Sequence, residues 1–382
     1  MTISELKADP SLQQAEFPVC RERIFLAHAA VCALPARVAQ AMSHCAEGGT
    51  RDDQEFLLGK LLHDTRQLAA TILDATPAEI ALVGPTSLAL SFVAAGLPFK
   101  AGDSVLVYFD DYPSNVYPWM ALRDKGVNVR FLKTPSLGRI EPEHVFEQID
   151  PTTRLVALAS CHFISGWKID VDAIGKELRR RDIWFCVDGI QTVGATPTSV
   201  RHVDFLAADA HKWLLGPCSA GVLYVRKELQ NTLKPVVFGW HNVDCPDFIA
   251  QTGIELKEDA RKYEAGSHNI VGAAGLKAAM ELLTEIGIEN IGNELLRMRR
   301  RTGDQLIANG WNLLHHDSAD KNRGGMFSFF RPDTDMAAMH RKLLDNEISV
   351  SLRRSRDGQN YLRASPHFYN TDAELDQMVG LL

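Results

Sequence analysis

The chain has 382 residues, 46% of them hydrophobic and 23% charged, with a formal net charge of −7. That length exceeds one small core and points to two domains, and the acidic balance argues against a nucleic-acid partner. The seven cysteines are odd in number and scattered, with no C-x-x-C pair, so no metal centre and no disulfide framework is expected. The opening MTISELKADPSLQQAEF lacks the basic and apolar segments of a signal peptide, and no apolar run is long enough to span a bilayer. A cytoplasmic protein without a membrane partner is the expectation.

In chain order, IALV at 80–83 reads as a strand, followed by Gly84-Pro85 and an apolar helix opened by Thr86-Ser87. SVLVYF (104–109) is a strand, VYPWMALRDKG (116–126) a helix stopped by Gly126, and VNVRFLKT (127–134) and LVALAS (155–160) are strands. DVDAIGKELRRRD (170–182) has the periodicity of an amphipathic helix. IWFCVDG (183–189), VDFLAADA (203–210) and AGVLYVR (220–226) complete a strand series. Short apolar strands separated by helices predict an α/β fold, with a mostly parallel sheet sandwiched by helices.

After about residue 270 the pattern changes. A long helix ends at Gly287, a second runs to about Asn309, and GGMFSFFR (324–331) is a strand. A helix near 334–346, strands ISVSLR (348–353) and YLRASP (361–366), and a last helix from Thr371, boxed by Glu374, follow. The division expected is a large α/β domain over 26–269 and a smaller α+β domain built from 1–25 plus 270–382.

Four features fall where ligands bind in parallel α/β sheets, at the carboxyl ends of strands. Asp188 ends an apolar strand in CVDGIQTVG, with Gln191 three residues on. It is either a turn-starting cap or a buried carboxylate that needs a cationic partner. Lys212, in DAHKWLLGP, ends the next apolar run. It either snorkels to water or has a lowered pKa and serves as a Schiff-base nucleophile. Thr86 and Ser87 either cap a helix or help its N-terminus hold a phosphate. Arg363 is either a surface residue or a planar fork for a carboxylate. Together they match the needs of pyridoxal phosphate: a phosphate cradle, a carboxylate for the ring nitrogen, an imine-forming lysine and a substrate clamp.

The segments VDGIQTVGATP, DAHKWLLGP, YEAGSHNIVGAAGLKAAMELL and RASPHFYNT stand in an order and spacing that resemble the class V aminotransferases, a family of fold-type I pyridoxal-phosphate enzymes. Cysteine desulfurases, selenocysteine lyase and isopenicillin N epimerase-like proteins belong to it. The resemblance implies that Lys212 carries the cofactor as an imine and later moves the Cα proton. It places Asp188 at the pyridinium nitrogen, Gln191 near the ring hydroxyl, and Thr86, Ser87 and His211 around the phosphate. Tyr112 takes the place of a ring-stacking His or Phe, and Arg363 that of the α-carboxylate ligand. Ser267 replaces a Thr that reaches the partner subunit's phosphate, which implies a homodimer. His28 is either a pocket residue or a core histidine.

Departures from the desulfurase pattern also count. The loop SLRRSRDGQN (351–360) has no cysteine, which argues against a persulfide-forming desulfurase. Cys161 and Cys218 lie elsewhere and read as packed. Phe163 replaces an Asn near the ring, and Asp209 replaces a phosphate-binding Ser. Arg353, Arg354 and Arg356 form either a solvated basic loop or a contact for a second acidic group. The implied activity is that of an aminotransferase acting on an α-amino acid, with a C–S lyase or an epimerase as the alternative.

Overall fold

The computed structural model describes residues 1–55 and 58–382. Seven strands form one sheet among the described residues: β1 (Ile80–Val83), β2 (Ser104–Val107), β3 (Asn128–Phe131), β4 (Thr153–Ala159), β5 (Trp184–Asp188), β6 (Phe205–Asp209) and β7 (Gly221–Val225). Their spatial order is β1-β7-β6-β5-β4-β2-β3. Every neighbouring pair is parallel except those made by β7, which runs antiparallel to β1 and β6.

The near-continuous apolar character of these strands has a direct cause. Successive side chains point to opposite faces, and both faces are buried. Leu155, Ala157, Cys186, Phe205 and Ala207 enter one core, together with Ala89, Leu90 and Val93 of the helix Thr86–Gly96. Their neighbours Val156, Leu158, Val187, Leu206 and Ala208 enter the other, with Ile174 and Leu178 of the helix Val171–Arg180. Asp170 caps that second helix by accepting from Ala173 N. The sandwich predicted from the alternation is thus present.

The C-terminal part carries a four-stranded antiparallel sheet of β8 (Asn312–Leu313), β9 (Phe327–Phe330), β10 (Ser351–Arg354) and β11 (Asn360–Ala364), ordered β10-β11-β9-β8. The helix Asp372–Leu381 has the expected Thr371–Glu374 capping box. The single strand expected over 348–353 is two strands in different sheets. Ile348–Ser349 pairs with Ile24–Phe25, and Ser351–Arg354 pairs with β11. The helix expected over 116–126 is short, Tyr117–Met120, and tightens into a 3₁₀ turn over Ala121–Lys125. Gly126 ends it with φ 77°, a conformation that glycine adopts without a Cβ penalty. Two long helices, Ala36–Gly48 and Leu58–Leu73, occupy a stretch to which the sequence reading assigned no element. Both pack against the helix Ile270–Ile286. No helix among the described residues is long and apolar enough to cross a membrane.

One backbone position supports the site from below. Gly194 has φ 90°, and a Cβ there would lie 2.5 Å from the Trp213 carbonyl oxygen, directly after Lys212. Gly194→Ala therefore combines backbone strain with a main-chain clash. It is expected to cost at least about 1–3 kcal/mol in denaturant unfolding, and an unchanged midpoint would refute this account.

Candidate active site

Because β1, β2, β4, β5 and β6 run parallel, their carboxyl ends meet along one edge of the sheet. A cavity of about 200 Å³ opens there. Lys212, Asp188, Tyr112 and Gln191 line it, as do Thr86, Ser87, His211 and Arg363. The structure thus brings eight of the predicted residues to one place. Phe163 and Arg353 line it too.

Lys212 is 6% exposed. It forms no ion pair among the described residues. Its Nζ lies 5.1 Å from the centre of the Tyr112 ring. Burial pushes the ammonium down to about 8, against a smaller opposing pull from Asp188. Asp188 is 2% exposed and takes one backbone N–H, from Ile190, at 3.0 Å. Burial, with the nearby Asp111 carboxylate, pushes its carboxyl up to about 7. Burial thus moves both the Asp188 carboxyl and the Lys212 ammonium toward their neutral forms, side by side in one cavity.

The surrounding side chains are fixed by bonds that leave their functional atoms available. Gln191 Oε1 accepts from Trp213 Nε1 at 2.8 Å, and Gln191 Nε2 donates to Ala29 O at 3.2 Å. Asp209 accepts from the backbone N–H groups of Ala210, Ser219 and Ala220, and from His211 Nδ1 at 2.7 Å. Asp209 is thus saturated from behind and orients His211, whose Nε2 has no partner among the described residues. Asp209 N donates to Thr86 Oγ1, which ties the end of β6 to the helix Thr86–Gly96. That helix has Pro85 at its N-cap and no side-chain cap, so its first N–H groups stay open to an anion. Asp111 accepts from Tyr112 N, Asn115 Nδ2 and Ala159 N, which pins the Tyr112 turn to the end of β4. The Tyr112 ring meets Phe163 edge-on at 5.3 Å.

Arg363 is 1% exposed on β11. It donates to the Phe163 carbonyl and to Ser351 Oγ, while its Nε has no partner. Arg353 lies opposite Tyr361 in the register that pairs Ser351 with Arg363, and its Nε is also unpartnered. Neither guanidinium has a carboxylate within ion-pair distance among the described residues. Burial, and for Arg363 the neighbouring Arg353, disfavours both charges. The basic loop accordingly divides. Arg353 faces the cavity, Arg354 is exposed, and Arg356 clasps Asp110 and Phe109 O at the rim.

Two expected residues lie elsewhere. His28 is fully buried behind the cavity wall, with Nδ1 bonded to Ser365 O and Nε2 to Tyr369 Oη. Both ring nitrogens are occupied, so it is a core histidine, and the neighbouring Ala29, Ala30 and Val31 line the cavity instead. Ser267 is exposed and borders a separate cavity of about 330 Å³. Cys161 is buried as expected, whereas Cys218 is exposed because the turn leading to β7 carries it outward. Sequence reasoning passed over Asp111; the signal available was the D-x-x-x-N spacing of Asp111 and Asn115 around the turn.

The aminotransferase class-V family model matches residues 24–378. A probable cysteine desulfurase of Methanothermobacter thermautotrophicus is 29% identical over 96% of this chain and 95% of its own length. An apo cysteine desulfurase from Thermococcus onnurineus superposes with a TM-score of 0.89 at 25% identity, covering 97% of this chain and 96% of that one. The cystine C–S lyase C-DES, in complex with its product cysteine persulfide, shares the fold with a TM-score of 0.87 at 22% identity over 95% of this chain and 98% of that one. The chain belongs to the aminotransferase class-V family of pyridoxal-phosphate-dependent enzymes.

Proposed function

We propose that the cavity binds pyridoxal phosphate and acts on an α-amino acid, with Lys212 as both the attachment point and the base. The observation that carries this is a buried Asp188, in no ion pair among the described residues, sharing one cavity with a buried Lys212 whose pKa burial lowers. The residues fit the group. The uncapped turn at Thr86 and the Ser87 hydroxyl are donors suited to a phosphate, and His211, which donates its Nδ1–H to Asp209, lines the same cavity. Asp188 would gain a partner in a protonated ring nitrogen, Gln191 keeps an N–H that would serve the ring hydroxyl, and Tyr112 would offer the ring an aromatic contact.

When bound, the cofactor supplies an electron-withdrawing ring that stabilises negative charge at the substrate Cα. Arg363 holds the α-carboxylate with its planar fork, and Lys212 removes the Cα proton. With a pKa near 8 for Lys212, its reaction with a soluble aldehyde is expected to accelerate about tenfold from pH 7 to pH 9. Reductive trapping followed by peptide mapping measures this, and a flat profile contradicts the assignment.

Aminotransfer is the first reading of the overall reaction. C–S bond cleavage is the second. It is favoured by the relatives' names and by Arg353, which gives the cavity a second cation for a substrate with two acidic groups. A single turnover with an amino-acid panel and no keto acid separates the two. A pyridoxamine end state supports aminotransfer; return to the starting cofactor supports the lyase when a cleaved product is released and an epimerase when the inverted amino acid is. If no amino acid changes the cofactor spectrum, the whole reading fails.

The exposed Ser267, together with exposed Phe238, Phe248, Ile249 and Ile254, supports a homodimer in which Ser267 reaches the partner's phosphate. Mixing Lys212→Ala with Ser267→Ala subunits tests it. Restored activity in the mixture supports shared sites, and no restoration beyond the separate variants argues against them.

A further inference from the structure

The hairpin of β10 and β11 carries both guanidinium groups that line the Lys212 cavity, those of Arg353 and Arg363. Its turn is built to be stiff. Ser355 N donates to Gln359 O at 3.0 Å, and Ser355 Oγ donates to the Asp357 carboxylate. Gly358 takes φ 93°, which costs a glycine no Cβ strain.

Arg356 projects from this turn and makes three contacts with one short stretch of the facing loop. Its Nε donates to the Asp110 carboxylate, and its Nη2 donates to Phe109 O at 3.0 Å. Its guanidinium carbon lies 3.9 Å from the centre of the Phe109 ring. The receiving loop is itself held. Phe109 packs on Phe131 of β3 with ring centres 4.4 Å apart, and Asp110 O accepts from His162 Nε2 at 2.9 Å. One residue on, Asp111 fixes the turn that presents Tyr112 to the cavity.

Among the described residues, side chains of 351–364 form hydrogen bonds outside the hairpin at two places only: Arg356, and Arg363 to Phe163 O. The second uses the guanidinium that takes the substrate carboxylate. Arg356 stays outside the cavity lining, so its contacts do not compete with substrate. The Arg356 and Asp110 side chains are 56% and 33% exposed, and an exposed ion pair adds little to folding stability. Such a tie acts on freedom instead: loops fixed before substrate arrives need no ordering when it binds.

We propose that Arg356 is a positioning residue that locks the Arg353–Arg363 hairpin to the Tyr112 turn and so sets where the substrate carboxylate is held relative to Lys212. This role rests on the cavity's binding an amino acid. Holoprotein carrying Arg356→Met, Asp110→Ala or both is titrated with L-alanine, L-cysteine and L-aspartate, with the cofactor absorbance as readout. Arg356→Met is expected to raise the half-saturating concentration about five- to tenfold, equally for all three, at an unchanged thermal midpoint and cofactor content. Adding Asp110→Ala to it is expected to change this by no more than about twofold, because one contact is removed twice. A rise below twofold, multiplied losses in the double variant, or a loss confined to L-aspartate overturns the proposal, the last by making Arg356 a substrate contact. Amide hydrogen exchange on substrate-free holoprotein separates the lock from the substrate reading. Arg356→Met is expected to speed exchange in both 109–112 and 351–360. Unchanged exchange in both overturns the lock, whereas faster exchange in a protein that reacts with no amino acid supports the lock and defeats the amino-acid reading alone.

Discussion

Replacing Lys212 with alanine is expected to remove turnover by at least about 10³-fold and to abolish borohydride-trapped cofactor on the chain. The reasoning is geometric first. Lys212 is the lysine lining the cavity, and its Nζ sits over Tyr112, where burial lowers its affinity for a proton. A soluble amine restores part of a lost proton transfer when the cavity is otherwise intact, so partial rescue of Lys212→Ala by methylamine is also expected. Residual covalent trapping in the variant would reassign the attachment site. Intact turnover would remove Lys212 from the chemistry altogether.

The second large effect concerns Arg363. Among the described residues its Nε is unpartnered and no carboxylate lies within ion-pair distance of it. Loss of one partner from a desolvated charge pair costs about 2–5 kcal/mol, so Arg363→Ala is expected to lower kcat/KM by about 10²–10³-fold for every amino acid. Arg363→Lys recovers little of this, because a point charge does not reproduce a planar fork. Arg353→Met provides the contrast. It lowers kcat/KM for substrates carrying a second acidic group and leaves mono-acidic amino acids within about threefold. Equal losses across both classes would show that Arg353 supports Arg363 and does not read the substrate. A loss of threefold or less in Arg363→Ala would displace it from the carboxylate.

The parallel sheet was legible in the sequence because burial on both faces leaves an unbroken apolar signature in segments such as Leu155–Ala159 and Phe205–Ala208. Lys212 and Asp188 were legible for a related reason, since each ends such a run with a polar side chain. The helices Ala36–Gly48 and Leu58–Leu73 were passed over although Leu58–Leu73 carries its buried Leu62, Ala69, Ala70 and Leu73 at helical spacing; what the sequence does not report is that both pack on the distant helix Ile270–Ile286. His28 was ambiguous in sequence because both of its bonds go to residues over 330 positions away. Arg353 was separated from Arg354 and Arg356 only by the register of β10 on β11, which places it on the face shared by Ser351 and Arg363. Asp209 was read through a missing phosphate ligand. The structure gives it a different task, as the anchor of His211.

The cavity draws its walls from segments as distant in sequence as Thr86 and Arg363. No fragment of the chain contains it, and a nascent polypeptide lacks the clamp until its last strands have joined the sheet. Long-range closure of this kind is slow, and intermediates with open sheet edges are prone to aggregate. A ligand that recognises only the finished cavity then draws the population toward the native state by mass action. Cofactor supply during synthesis thereby becomes a determinant of folding yield, and the ratio of loaded to total protein reports how many chains completed the journey.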